Sequence, residues 1–186
     1  MILDVTPLGI PDVLLIRTRR FADARGFFAE TYVHRDYVNA GICNNFVQDN
    51  QSYSVARGTL RGLHFQTPPF AQAKLVRVLR GRILDVVVDL RQSSLSYGQH
   101  ISVELGAEEG EQIFVPVGFA HGFCTLEPDT EVSYKVDAVF SLANDRGLNA
   151  VDPELRIDWP IEASAAVRSE KDCALPAFRE LPTVFQ

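Results

Sequence analysis

Alternation of apolar and polar residues is the dominant pattern along the chain. The clearest case is the segment 130–137, in which Val132, Tyr134 and Val136 fall on one face of an extended strand. The intervening positions are polar or charged and fall on the opposite face. We expect the apolar face to point into a barrel, which places the Tyr134 hydroxyl inside it.

Other short apolar runs are separated by glycine, proline and polar residues. Gln112 to Val115 is closed by Pro116 and is typical of a short strand. Lys74 to Leu79, the break at Arg80-Gly81 and the run Arg82 to Asp89 together predict a hairpin.

Helical periodicity is scarce. Arg35 to Ala40 has room for one or two turns, and the tail from Pro160 onward favours short helical pieces, with Ser169 as a candidate N-cap. Many short strands with few helices predict an all-β sandwich or barrel. At 186 residues, we expect the segment 1–186 to form a single domain.

Charge and cysteine content narrow the class of protein. The net charge of -6 argues against binding to nucleic acid or to an anionic membrane. The three cysteines are widely spaced and form no C-x-x-C pair, which suits a reducing cytoplasm. We see neither a signal peptide nor an apolar stretch long enough to cross a bilayer.

Two glycine-bounded segments each carry a histidine. The first runs from Gly58 to Gln66 and contains His64, and the second runs from Gly110 to His121. They resemble the paired half-motifs of the cupin barrel, which implies a double-stranded β-helix (jelly-roll) with short N- and C-terminal extensions.

The first half-motif departs from the metal-binding form of that barrel. Gln66 stands where metal-binding members carry a second histidine, and Lys74 is the ionisable residue that follows. A lysine is a positive point charge and a poor neighbour for a cation. We therefore expect no metal and no other cofactor, and we look for acid–base chemistry.

His64 and Gln66 share one face of a strand, so both can point inward. Arg61 lies on the opposite face of a strictly regular strand. If Arg61 also serves the site, Gly62 should mark a bulge or bend.

A more specific resemblance extends from about Phe21 to Pro176. The chain is similar to the dTDP-4-dehydrorhamnose 3,5-epimerase family, and the run Thr59-Leu60-Arg61-Gly62-Leu63-His64-Phe65-Gln66 is very specific to it. Further resembling stretches are 21–30, 46–50, 71–76, 115–123, 130–135 and 169–172.

The resemblance implies an isomerase of dTDP-rhamnose biosynthesis that acts on a dTDP-linked 4-keto-6-deoxy sugar. Carbons C3 and C5 both flank the C4 ketone, so inversion needs a base on one face and a proton donor on the other. Histidine suits the base. The roles implied for catalysis are His64 as base, Asp172 as its carboxylate partner, Tyr134 as acid and Lys74 as the cation for the C4 oxyanion.

The resemblance also implies a substrate-binding set. Arg61 and Lys171 are candidates for the diphosphate, and His121 for the wall of the pocket. The remaining candidates are Phe21, Arg25, Phe28, Glu30, Gln48, Asn50 and Asp145. In the family the N-terminal segment reaches the partner's site, so a homodimer with exchange of that segment is expected.

Departures from the family keep alternatives open. Val139-Phe140 replaces two tyrosines and Leu142 replaces a proline, so a single-centre 3- or 5-epimerase is one alternative. A cupin that binds sugar nucleotides without chemistry is another, although it would have little reason to combine His64 with Tyr134. A metal-dependent cupin oxygenase or isomerase is disfavoured by Gln66.

Overall fold

Short antiparallel strands make up most of the structure, a computed structural model that describes residues 2–186. The strands are β1 (Ile2–Pro7), β2 (Leu14–Thr18), β3 (Arg20–Asp23), β4 (Gly26–Ala29), β5 (Gln48–Ser54), β6 (Leu60–Gln66), β7 (Lys74–Arg80), β8 (Arg82–Asp89), β9 (His100–Gly106), β10 (Glu111–Val115), β11 (Phe119–Thr125), β12 (Thr130–Val136) and β13 (Asp145–Gly147). The helices are α1 (His34–Asn39), α2 (Glu170–Cys173) and a 3-10 turn (Phe178–Glu180).

The strands form two main sheets and one separate hairpin. One sheet has the order β1-β2-β10-β7-β12-β5, the other has the order β13-β6-β11-β8-β9, and β3 pairs only with β4. The two main sheets face each other. This is the cupin-type jelly-roll barrel, and the all-β prediction is confirmed.

The predicted hairpin between Lys74 and Asp89 is wrong. The strands β7 and β8 exist with nearly the expected bounds, but β7 pairs with β10 and β12, whereas β8 pairs with β11 and β9. Gly81, at φ 77°, therefore carries the chain from one sheet to the other. A glycine between two apolar runs indicates where the chain turns. Which strands then pair depends on how the two faces of each sheet are buried.

Three apolar clusters account for the burial of both faces of each sheet. The first lies between the sheets and includes Val76, Val132, Val87 and Phe123. A second packs the outer face of the five-stranded sheet against the C-terminal segment, and a third packs the outer face of the six-stranded sheet around Tyr37 of α1. The terminal segments thus cover the barrel walls.

The alternation predicted for β12 is confirmed. Val132 is buried in the cluster between the sheets, and Tyr134 packs against that cluster from a half-buried position. Val136, on the same face of the strand, is also buried. Within residues 2–186, no helix is long and apolar enough to cross a membrane.

Candidate active site

A bulge in β6 directs the histidine segment into the barrel. Opposite β11, His121 pairs with His64 and Phe123 pairs with Arg61, so three steps along β6 match two steps along β11. The extra residue brings Arg61 and His64 to the same cavity. This agrees with the prediction that Gly62 marks a bulge or bend if Arg61 faces the site. Leu63 and Phe65 then face the outer cluster.

Gly62 makes this bulge possible. Its φ of 115° belongs to the region that favours glycine. A Cβ at this position would also lie 2.8 Å from the Cα of Gly122 and 2.9 Å from the carbonyl oxygen of His121. The close approach of β6 and β11 therefore needs a glycine here.

Two adjoining cavities open inside the barrel, with volumes of about 490 Å³ and 260 Å³. Both are lined by His64, Lys74, Tyr134 and Lys171. All ten predicted site residues outside the N-terminal hairpin line one or both cavities: Gln48, Asn50, Arg61, His64, Lys74, His121, Tyr134, Asp145, Lys171 and Asp172.

His64 and Asp172 form a close polar pair inside the cavity. The Nε2 atom of His64 lies 2.6 Å from Oδ1 of Asp172, and the carboxylate is buried behind the half-exposed imidazole. Burial acts to raise the pKa of Asp172, but hydrogen bonds from His64, from the Ser169 hydroxyl and from the backbone N–H of Gly62 hold that pKa below its ordinary value. Asp172 is therefore a carboxylate that favours an imidazolium beside it.

The short helix α2 positions this carboxylate. The Ser169 hydroxyl caps α2 by accepting a hydrogen bond of 3.1 Å from the backbone N–H of Asp172, which confirms Ser169 as the N-cap. Helix α2 packs against β6, so the two members of the His64–Asp172 pair come from adjacent elements.

Lys74 is the buried cation of the site. Its ammonium donates a hydrogen bond of 3.1 Å to the carbonyl oxygen of His64. Burial lowers the pKa of Lys74 to about 8, although the charges of Asp85 and Asp145 oppose this shift. Burial favours the neutral form of Tyr134 as well: it raises the pKa of the phenol, which stays protonated near neutral pH.

A second histidine–carboxylate pair forms part of the cavity floor. Nε2 of His121 lies 2.8 Å from Oδ2 of the fully buried Asp85. Sequence reasoning missed Asp85, although a carboxylate inside the apolar run 83–88 was the available signal. The pair fixes the ring of His121 beside the β6 strand.

Arg61 and Lys171, the two cations predicted to bind a diphosphate, are each held by neighbouring groups. Lys171 forms a close ion pair with Asp145. The guanidinium of Arg61 is held by the Ser54 hydroxyl at 3.0 Å and by the carbonyl oxygen of Tyr53 at 2.9 Å.

The N-terminal hairpin does not join this cavity within its own chain. Phe21, Arg25, Phe28 and Glu30 are exposed residues of the hairpin β3–β4 and of the position that follows it. None of them is among the residues lining the two cavities in the described chain.

Over residues 2–186, no group of three or more histidine, cysteine, aspartate or glutamate side chains is arranged to hold a metal ion. The amide of Gln66 instead bonds the backbone of neighbouring loops.

Comparison with known proteins places this site in a family. A sequence profile described as dTDP-4-dehydrorhamnose 3,5-epimerase matches residues 7–180. A dTDP-4-dehydrorhamnose 3,5-epimerase of Sinorhizobium fredii (strain NBRC 101917 / NGR234) is 50% identical over 179 residues, which cover 96% of this chain and 91% of the relative.

Solved structures agree with that result. A dTDP-4-dehydrorhamnose 3,5-epimerase of Bacillus anthracis with TDP and PPi bound superposes with a TM-score of 0.90 at 46% identity, covering 94% of this chain and 98% of that one. A dTDP-6-deoxy-D-glucose-3,5-epimerase of Legionella pneumophila in complex with dTDP-4-keto-L-rhamnose gives a TM-score of 0.92 at 36% identity, covering 96% and 94%. The chain belongs to the dTDP-4-dehydrorhamnose 3,5-epimerase family.

Proposed function

We propose that the chain inverts C3 and C5 of dTDP-4-dehydro-6-deoxy-D-glucose and so forms dTDP-4-dehydro-L-rhamnose. One observation carries the proposal: the His64–Asp172 pair faces the same cavity as the Tyr134 phenol and the Lys74 ammonium. A base, an acid and a cation in one cavity are what proton exchange beside a ketone requires.

His64 is the proposed base. The neutral imidazole donates its Nε2 proton to Asp172, which leaves the lone pair of Nδ1 to accept a proton from C3 or C5. The electrons of that C–H bond move into the ring and onto the C4 oxygen, which forms an enolate. Asp172 stabilises the resulting imidazolium, and Lys74 stabilises the oxyanion.

Tyr134 is the proposed acid. Its phenol delivers a proton to the same carbon from the opposite face, and the carbonyl is restored as the enolate electrons return. One inversion leaves a proton on His64 and a phenolate on Tyr134. Exchange of both groups with water resets the site before the second carbon reacts, so solvent hydrogen enters the product.

Binding of the nucleotide would use the remaining groups. Arg61 and Lys171 offer the charge that a diphosphate needs. Gln48, Asn50, Asp145 and His121 line the cavity and offer hydrogen-bonding groups to the sugar and nucleotide.

We propose that a homodimer completes the site by exchange of the N-terminal hairpin. Phe21 or Phe28 of one chain would stack on the thymine bound by its partner, and Arg25 and Glu30 would contact the nucleotide. The support is the exposure of Phe21 and Phe28, at 43% and 66%.

Inversion at one carbon only is the second candidate. Phe140 lines the smaller cavity where family members often carry a tyrosine, and it lacks a hydroxyl that could hold the sugar. Val139 and Leu142 beside it depart from the family as well. Binding without chemistry is a weaker candidate, since it gives no reason for a buried lysine beside His64.

NMR of the substrate in deuterated buffer tests these alternatives. Exchange at both C3 and C5 supports the proposal, exchange at one carbon supports the single-centre enzyme, and exchange at neither defeats both. His64→Ala should reduce exchange at both carbons on the order of a hundredfold or more while the protein stays folded. Exchange at the wild-type rate in that variant would remove His64 from the mechanism.

Three further expectations stay predictions. The expectation of a single domain is supported by the family match over residues 7–180. The expectation of a cytoplasmic location is supported by the three cysteines, which are all free in the described chain. We expect activity to survive exhaustive chelation. Reversible loss of turnover, restored by one divalent metal, would contradict the metal-free mechanism.

A further inference from the structure

The segment 137–144 joins β12 to β13 and borders the smaller cavity through Phe140. We name it the wall loop. Its Phe140 lines that cavity together with His64, Lys74 and Tyr134. Val139, Phe140 and Leu142 are nevertheless 51%, 55% and 79% exposed. Burial of its own side chains therefore does little to hold the loop in place.

Three glutamine side chains of the barrel hold the loop instead. Gln72 donates to the carbonyl oxygen of Ala138 at 2.7 Å, and Gln48 accepts from the backbone N–H of Phe140 at 2.9 Å. Gln66 donates to the carbonyl oxygen of Val139 at 3.2 Å and accepts from the N–H of Ser141 at 2.7 Å. Each of the four residues 138–141 thus has a backbone group bonded to a glutamine amide.

Gln66 is central to this arrangement. Its side chain is buried, and its nitrogen also donates to the carbonyl oxygen of Phe70 at 2.7 Å. Two carbonyl partners at one end and an N–H partner at the other fix which end of the amide is nitrogen. Gln66 lies two residues after His64 on β6, so the strand that presents the histidine also holds the wall.

We propose that Gln66 is a positioning residue that sets the depth of the sugar pocket through the wall loop. This inference rests on the proposed function. With Gln48 and Gln72 it holds Phe140 at a fixed distance from His64 and Tyr134, so the wall limits how the sugar ring sits between base and acid. Inversion at C3 and at C5 needs two presentations of the ring, so the position of the wall controls the ratio of the two reactions.

Gln66→Glu is the direct test. The variant keeps the size of the side chain but turns a carboxylate oxygen toward the carbonyl oxygens of Val139 and Phe70, which repels the loop. We expect kcat/KM to fall about tenfold or more, and the ratio of deuterium entering C3 to that entering C5 to change. Gln99→Glu is the matched control, because its amide bonds the carbonyl oxygen of Leu95 on the surface; it should leave both quantities unchanged.

A double-mutant cycle separates positioning from general stability. Phe140→Ala shortens the wall at an exposed position and should itself change the exchange ratio. If Gln66 acts through Phe140, the Gln66→Glu change should be much smaller in the Phe140→Ala background. Additive changes would mean that Gln66 only stabilises the barrel, and would overturn the inference.

Folding of each variant is checked by its thermal transition. If Gln66→Glu does not fold, Gln72→Met is the alternative. Gln72 is half-buried, and the change removes its hydrogen bond to the carbonyl oxygen of Ala138. This variant should shift the exchange ratio in the same direction as Phe140→Ala. An unchanged ratio in every folded wall variant overturns the inference, while wild-type exchange at C3 and C5 keeps the proposed function intact. Absence of wild-type exchange at both carbons defeats the proposed function itself.

Discussion

Burial and hydrogen bonds together set the protonation states of the groups that face the cavity. Asp172 is held as a carboxylate by its hydrogen bonds, and Tyr134 is held as a phenol because burial raises its pKa. Lys74 is the exception, since burial lowers its pKa to about 8, close to the range in which enzymes work. The proposed acid and the carboxylate are thus insensitive to pH near neutrality, and the cation is not.

The pKa of Lys74 predicts an alkaline limit to the activity. In the proposed mechanism the ammonium stabilises the enolate only while it is protonated, so kcat should fall as the pH rises through about 8. Lys74→Arg keeps its charge at every accessible pH. That variant should be slower, because the planar guanidinium does not reproduce the ammonium position, but its profile should lack the fall near pH 8. A fall that persists in Lys74→Arg would assign the limit to another group.

Tyr134→Phe should separate proton removal from inversion. The base and the cation remain in the variant, so deuterium should still enter the substrate from the side of His64. In the proposed mechanism delivery from the opposite face needs the phenol, so the yield of inverted product should fall far more than the exchange rate. NMR of recovered substrate and product gives both quantities. Equal losses, or an unchanged ratio, would make Tyr134 only a wall of the pocket.

At the scale of the element, β6 shows what alternation can and cannot predict. The period of two places His64 and Gln66 on one face, and the need to bring in Arg61 identifies Gly62 as a bulge. The hydrogen bonds of Gln66 to the wall loop were not predictable, because a side-chain amide bonded to a distant backbone leaves no periodic signal. The β7–β8 hairpin was wrong for a related reason: pairing is decided between strands far apart in sequence.

Gly62→Ala tests the bulge itself. A Cβ at φ 115° would be strained and would clash with the backbone of β11. We expect a loss of about 3 kcal/mol or more in the free energy of unfolding, together with loss of activity as Arg61 and His64 leave their common cavity. Gly9→Ala is the control, because nothing lies within 4 Å of its added Cβ. Denaturant unfolding measures both variants, and near-wild-type stability of Gly62→Ala would refute the argument.

At the scale of the whole molecule, the barrel is closed at its outer faces but leaves its N-terminal hairpin uncovered. Apolar clusters pack the terminal segments against the outer faces of the two main sheets. The hairpin β3–β4 pairs with neither main sheet, and Phe27 and Phe28 on it are 59% and 66% exposed. Apolar surface of that kind on a two-stranded ribbon is typical of a contact with another chain. From the sequence, a role for this hairpin in a partner's site could be predicted only through the family resemblance, because no pattern within one chain relates a hairpin to a cavity of another chain.

A mixed dimer tests whether the hairpin of one chain completes the site of the other. One chain carries Arg25→Ala in the hairpin, and its partner carries His64→Ala in the barrel; each homodimer should be weakly active. If the hairpin is exchanged, the mixed dimer contains one site with both defects and one site with neither. Activity should therefore recover to about half of the wild-type value per dimer, as expected for one intact site of two. Differently tagged chains, purified as heterodimers, make the measurement direct. Without exchange every site in the mixed dimer carries one defect, so activity no higher than the average of the two homodimers would show that each chain builds its site alone.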